Sequence, residues 1–243
     1  MKPYLIVIPA RLASTRLPEK PLVDILGKSL LQRTFEQCLL ASPKEYIVVA
    51  TDDLKISNHC EERGIPVIMT STDCLTGTDR VAEVAQQIEA NYYINVQGDE
   101  PVINPDDIRD MIQAAVQYPD CILNGYTAID SEEDYRSLTI PKVVFKPNGD
   151  LLYMSRSPIP GNKKNEFQKS WRQVCIYGFP KSALEAFVSV TEKTPLENEE
   201  DIEVLRFLEL DFTVKMLPMS NDSIAVDTPE DIHKVIHRLT QHG

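Results

Sequence analysis

Three short stretches carry residue types that could do chemistry. The first, "PARLASTRLPEKPL" (9–22), sets Arg11, Arg16 and Lys20 in one loop, with the small residues Ala13, Ser14 and Thr15 between them. Small residues let a backbone approach a ligand, and guanidinium and ammonium groups neutralise phosphate oxygens. The second, "NVQGDEP" (95–101), runs an apolar segment into Gln97, Gly98, Asp99 and Glu100. The third, "AVDTPEDI" (225–232), places Asp227 after a short apolar run. A carboxylate at the end of a strand suits a hard cation such as Mg2+. Taken singly, the loop could be a solvated basic surface and each acid a helix cap. Together they describe a nucleoside triphosphate held by cations, and a Mg2+ held by Asp99 and Asp227. The loop is neither a GxxxxGK[ST] phosphate loop nor a GxGxxG dinucleotide fingerprint.

The rest of the composition makes the basic loop stand out. The 243 residues carry a formal net charge of −12, which argues against a sequence-general nucleic-acid binder. An anionic ligand therefore needs a local concentration of cations. A hydrophobic fraction of 42 % supports a sizeable core. No apolar run reaches the length of a membrane span, and the N-terminal run reads as a buried strand, not a signal peptide. Five cysteines, an odd number without a CxxC, fit a reduced cytoplasm with free thiols. His233 and His237 lie four apart near the C-terminus but lack a third ligand, so they read as a surface pair.

These residues need a scaffold, and the pattern supplies one. Apolar runs at 4–10, 46–51, 67–69 and 92–96 alternate with helical spacing at 29–41, 52–64, 78–90 and 104–118. Strands separated by helices imply a mostly parallel sheet in a three-layer α/β/α sandwich. The helix after 77 is expected to open at Thr78 or Asp79. Extended candidates at 121–129, 141–146, 150–154 and 172–179 then crowd together, which suggests a smaller β-rich lobe over 121–180, of antiparallel or mixed pairing, within a single domain of 1–243. "NEEDIEVLRFLEL" (198–210) returns to helical spacing, with "ENEED" as a solvated helix start. "FTVKML" is a strand, and a last helix has Thr228 as N-cap and Pro229 at its first position.

The segments "IPARLASTRLPEKPLVDILGKSL", "VVATDD", "GTDRVAEV", "NVQGDEP", "MSRSPIP", "IYGF" and "VDTPEDI", in that order, resemble the CMP-Kdo synthetases, the 3-deoxy-manno-octulosonate cytidylyltransferases. The resemblance spans nearly the whole chain. It implies a GT-A-like nucleotidyltransferase fold, a homodimer with the 121–180 lobe as dimerisation and sugar-side element, and Mg2+ as cofactor. It also implies a reaction for lipopolysaccharide biosynthesis: CTP plus an acid sugar gives the CMP-sugar and pyrophosphate. Such chemistry rests on positioning and charge neutralisation more than on an enzyme nucleophile. The resemblance assigns Ala10, Arg11, Ser14, Arg16, Lys20, Gly77, Thr78, Arg80 and Asp99 to the nucleotide. It assigns Asp99 and Asp227 to the metal, and makes Arg11 and Lys20 catalytic with them. Gln97, Arg156, Gln173, Tyr177 and Glu203 fall on the sugar side.

The chain departs from the family pattern mainly there. Gln173 stands where a His is frequent, and Val204 replaces a polar residue before Leu205-Arg206. Glu19 stands where a Gly is common, and Cys74 where a His is. Such changes leave phosphate chemistry intact and suit a Kdo analogue with a different tail, such as the 8-amino-3,8-dideoxy sugar. Drift at water-filled positions is the other reading. A non-catalytic nucleotide-binding protein, or a nucleotidyltransferase using another nucleotide, are the competing classes.

Overall fold

The computed structural model describes residues 1–14 and 16–241. The strands are β1 (Leu5–Ala10), β2 (Asp24–Ile25), β3 (Lys28–Ser29), β4 (Ile47–Thr51), β5 (Val67–Met69), β6 (Tyr92–Val96), β7 (Ile122–Ile129), β8 (Lys142–Phe145), β9 (Leu151–Ser155), β10 (Ser170–Pro180) and β11 (Val214–Pro218). The helices are α1 (Leu30–Ala41), α2 (Leu54–Glu62), α3 (Gly77–Gln87), α4 (Pro105–Gln117), α5 (Glu132–Arg136), α6 (Lys181–Ser189), α7 (Pro195–Glu200), α8 (Val204–Glu209) and α9 (Pro229–Gln241).

The central sheet runs β11-β7-β10-β6-β1-β4-β5. β1 pairs in parallel with β4 on one side and β6 on the other, so successive crossovers leave it in opposite directions. That reversal opens a crevice beyond the carboxyl ends of β1 and β6, where ligands of open α/β sheets bind. The basic loop and Asp99 follow those two strand ends.

Alternation along β1 explains the layers. Leu5 and Val7 face a core shared with Val81 and Val84 of α3 and Phe187 of α6. Ile6 and Ile8 face a core shared with Leu31 and Phe35 of α1 and Met111 of α4. Both faces are dry, so the strand reads as an unbroken apolar run, as a central parallel strand should. The expected three-layer α/β/α sandwich with a mostly parallel sheet is present. A smaller core of Leu17, Ile25, Leu30, Val226 and Val235 sits under the basic loop and ties it to α9.

The segment 121–180 divides between two settings. β7 and β10 lie inside the main sheet, with β10 antiparallel to both β6 and β7. The β8–β9 hairpin hangs from β10 through Lys142 and Arg172.

Three sequence expectations need correction. α3 opens at Gly77, not at Thr78 or Asp79, because Thr76 and Asp79 close a reciprocal capping box. The helix expected across 198–210 is broken into α7 and α8, with Asp201 in the left-handed region at φ 52°. "ENEED" is solvated only in part: Asn198, Glu199 and Asp201 are exposed, whereas Glu197 and Glu200 turn inward. Glu197 is buried against Arg206, at 2.6 and 2.8 Å, and Glu200 accepts from the Tyr153 and Ser155 hydroxyls and the Arg156 amide. Composition assigns these acids to solvent, but Arg206 satisfies Glu197 and the segment 153–156 satisfies Glu200.

Candidate active site

The loop after β1 is held in place by its apolar residues, so that its polar ones are free to face the crevice. Leu17 and Ile25 are buried, the Leu17 amide donates to Ser14 Oγ at 3.3 Å, and Pro21 opens a short turn after Lys20. Glu19 adopts φ 54°, a left-handed conformation that explains why Gly suits this position. An ion pair to Lys55 at 2.5 Å holds the Glu19 side chain outward. At the neighbouring strand end, a Cβ on Gly98 would stand 2.7 Å from the Pro9 carbonyl oxygen. Only Gly lets the two turns approach so closely, and the approach brings Asp99 to Lys20.

Lys20 is the centre of the charge arrangement. Its Nζ donates to Asp99 Oδ2 at 2.6 Å and to Asp227 Oδ1 at 2.9 Å. Arg16 Nη2 adds a contact to Asp227 Oδ1 at 3.2 Å. Burial works to lower the Lys20 pKa, but the two carboxylates outweigh it and the pKa is raised. Arg11 is exposed at the same cleft, and no ion pair engages it among the described residues.

Asp99 and Asp227 fit a divalent cation on their donor chemistry. A single ammonium nitrogen is within hydrogen-bond distance of both, so the two carboxylates already share one cation. No group of three or more His, Cys, Asp or Glu able to hold a metal occurs among the described residues. Mg2+ typically takes one or two carboxylates plus phosphate oxygens and water. A two-acid site beside a phosphate-binding loop matches that habit.

The cleft has a volume of about 730 Å³, within the range of small-molecule sites. Its lining brings together Ala10, Arg11, Ser14, Arg16, Lys20, Gly77, Arg80, Gln97, Asp99, Glu203 and Asp227. Thr78 is buried behind the wall in the first turn of α3. The Arg80 guanidinium is committed to Asp52 at 3.3 Å and to the Thr70 hydroxyl, so it braces the wall. Gln97 donates to Asn95 Oδ1 at 3.3 Å.

The sugar-side residues are placed unevenly. Glu203 lines the cleft, and burial raises its pKa against hydrogen bonds from Thr76 and Thr78. Tyr177, half-buried on β10, is absent from the lining; burial and then the nearby Cys175 and Glu203 charges push its pKa well up. Gln173 is buried and donates to Asn124 Oδ1 at 3.0 Å, beside a bulge in β10. Arg156 donates to the carbonyls of Leu138, Glu200 and Asp201 and is absent from the lining. Val204 is core, 2 % exposed.

The sequence reading did not count Leu75 and Thr76 among the site residues, although both line the cleft. Thr76 carried a usable signal, the Thr-x-x-Asp box before an apolar run. Leu75, 79 % exposed, carried none.

The profile of the cytidylyltransferase family matches residues 5–214. The chain belongs to that family. It is 42 % identical to a 3-deoxy-manno-octulosonate cytidylyltransferase of Protochlamydia amoebophila, over 94 % of this chain and 91 % of that protein. It is 38 % identical to the enzyme of that name in Geobacter metallireducens, over 97 % of each. A solved CMP:2-keto-3-deoxy-manno-octonic acid synthetase complexed with CTP superposes over 100 % of both chains with a TM-score of 0.93, at 34 % identity. HddC from Yersinia pseudotuberculosis, at 17 % identity and a TM-score of 0.70 over 97 % of this chain and 99 % of that one, shares the fold. This cytidylyltransferase therefore combines a nucleotidyltransferase fold with the cationic cleft described above. No helix among the described residues is long and apolar enough to cross a membrane.

Proposed function

We propose that this nucleotidyltransferase activates a 3-deoxy-octulosonic acid sugar of the Kdo type with CTP. The sugar's anomeric hydroxyl oxygen bonds to the α-phosphorus, the bond from that phosphorus to the β-phosphate oxygen breaks, and the CMP-sugar and pyrophosphate result. The observation that carries the reading is the Lys20, Asp99 and Asp227 cluster at the mouth of the β1–β6 crevice. The matched CTP complex supports the choice of nucleotide.

In this reading, Arg11, Arg16 and Lys20 take the triphosphate, and their fixed positive charges stabilise the negative charge that moves onto pyrophosphate. Ala10, Ser14 and Gly77 form the close-fitting wall of the nucleotide pocket, backed by Thr78 and braced by Arg80. Asp99 and Asp227 would hold Mg2+. When bound, the ion supplies Lewis-acid polarisation of the α-phosphate. Gln97 and Glu203 face the sugar as hydrogen-bond partners. Tyr177, Gln173 and Arg156 support the site from outside its lining: Tyr177 stacks on Phe179, and Arg156 ties β9 to the end of α7. The β8–β9 hairpin, with exposed Leu152, is the proposed homodimer element.

Preference for the 8-amino analogue is the second reading. Gln173 and Val204, the two departures behind it, both point into packed or hydrogen-bonded surroundings, which favours the unmodified sugar. The test is pyrophosphate release with CTP and Mg2+, offered Kdo and its 8-amino analogue separately. Release that requires an acid sugar supports the proposal. CTP binding without release from either sugar would instead favour a nucleotide-binding protein without this activity.

A further inference from the structure

Asp227 reaches the site on a segment without helix or strand. Residues 219–228 leave the end of β11 and cross to the Gly98-Asp99 turn before α9 begins. The path is fixed residue by residue. The Met219 amide donates to the Tyr126 carbonyl at 2.8 Å. The Ser220 amide and hydroxyl both donate to Asp107, at 2.9 and 2.6 Å. Arg172 holds Asn221 at 2.6 Å, Arg238 holds Asp222, and the Ser223 hydroxyl donates to Glu100. The Val226 amide then donates to the Asp99 carbonyl at 2.9 Å, and Asp227 follows.

Asp107 is the unusual member. It lies in the first turn of α4, where acids normally stay in water, as Asp106 does with its side chain 76 % exposed. Capping does not require it, because Asn104 already accepts the Asp106 amide. Yet Asp107 is 5 % exposed, and no cation pairs with it among the described residues. Both its oxygens are given to Ser220 instead. A buried carboxylate is expensive unless hydrogen-bonded, and a helix N-terminus eases its charge. The strap is therefore bent and fixed at the point where it leaves the sheet.

We propose that Asp107 is a positioning residue for the reaction. By gripping Ser220 it sets the course of the 219–227 strap and so holds Asp227 opposite Asp99. The inference rests on the reading of those two aspartates as the metal acids. Asp107 does not line the cleft; it acts through the strap, with Glu100 as a second grip nearer the site.

The test compares wild type with Asp107→Asn, Ser220→Ala, the double variant and Asp227→Asn. Electron paramagnetic resonance follows Mn2+ binding in the presence of CTP without sugar, calorimetry follows CTP binding without metal, and circular dichroism follows the fold. Asp107→Asn is expected to weaken Mn2+ about tenfold and Ser220→Ala about threefold, with CTP binding in metal-free buffer unchanged. The double variant should be no worse than Asp107→Asn alone, since both variants weaken the same two-bond grip on Ser220. High Mn2+ should restore kcat in Asp107→Asn, which separates a displaced ligand from a damaged fold. Wild-type Mn2+ affinity in folded Asp107→Asn overturns the inference. If that variant does not fold, wild-type affinity in Ser220→Ala does so. Asp227→Asn distinguishes the two levels: if it binds Mn2+ as wild type does, the metal reading itself fails and the positioning role falls with it.

Discussion

Replacing Lys20 by Met should make the protein's stability respond to Mg2+. The ammonium now sits between Asp99 and Asp227, at 2.6 and 2.9 Å, with its side chain only 17 % exposed. Removing it leaves two carboxylates facing each other. Two unit charges about 5 Å apart repel by about 3 kcal/mol at an effective dielectric constant of about 20. The Asp227 side chain is 39 % exposed, so solvent screening reduces the cost to about 1–2 kcal/mol. For a domain of this size that corresponds to a fall in Tm of about 2–8 °C. Mg2+ at tenfold its dissociation constant would return about 1.4 kcal/mol. In the wild type, the ammonium lies between the two carboxylates and fills that place. The assay is differential scanning fluorimetry with and without Mg2+, in the absence of CTP. The variant should lose Tm and regain most of it with Mg2+, while wild type changes by about 1 °C or less. Equal Mg2+ responses in the two proteins would refute the idea that Lys20 and the metal share one position. Turnover should fall about 10²- to 10³-fold in the variant, the usual effect of losing one charge-stabilising donor.

Three further outcomes follow from the contacts. Burial pushes the Asp231 pKa up, but hydrogen bonds from Lys234, Thr228 and the Asp227 and Thr228 amides win, holding it at about 2 against an ordinary 3.8. Because the folded pKa is depressed, this stabilisation is complete above about pH 5 and lost as pH falls through 4 towards 2; Asp231→Asn should flatten that part of the stability–pH curve in urea titrations. Arg206→Leu breaks a buried bidentate pair with Glu197, their side chains 8 % and 1 % exposed, and should cost about 3–5 kcal/mol in urea denaturation, leaving metal affinity of the folded protein intact. Gly98→Ala must push the Pro9 carbonyl away from a contact of 2.7 Å, and is expected to lower kcat/KM at least tenfold by parting the two strand ends, read from steady-state kinetics.

The parts of the site that were legible in the sequence are those whose residues lie at strand ends. A continuous apolar run marked β1 as central, so the basic loop after it had to face the crevice. The same logic placed Asp99 after β6. Asp227 was legible as an acid after a short apolar run that could share a cation with Asp99, but its approach to Lys20 depends on the strap. That strap, "MSNDSIA", has no periodicity and no motif. Its partners Asp107 and Glu100 lie 113 and 123 residues from Ser220 and Ser223, a distance no local pattern spans. Glu19 shows the opposite case: the left-handed position is signalled by the Gly common there in the family pattern and not by the residue itself. The sugar side was legible least. Gln173 and Arg156 have polar side chains suited to a ligand, but internal partners, Asn124 and three backbone carbonyls, use them first.

The central claim is that the sugar's anomeric oxygen becomes bonded to the α-phosphorus of CTP. It is tested most directly by incubating the protein with CTP, Mg2+ and Kdo labelled with 18O at the anomeric hydroxyl, and recording the 31P spectrum and mass of the product. The account expects a CMP-sugar carrying the label in its phosphorus–oxygen–carbon bridge, with one pyrophosphate released per product. A CMP-sugar without the label in that bridge, or free CMP and pyrophosphate alone, would contradict it.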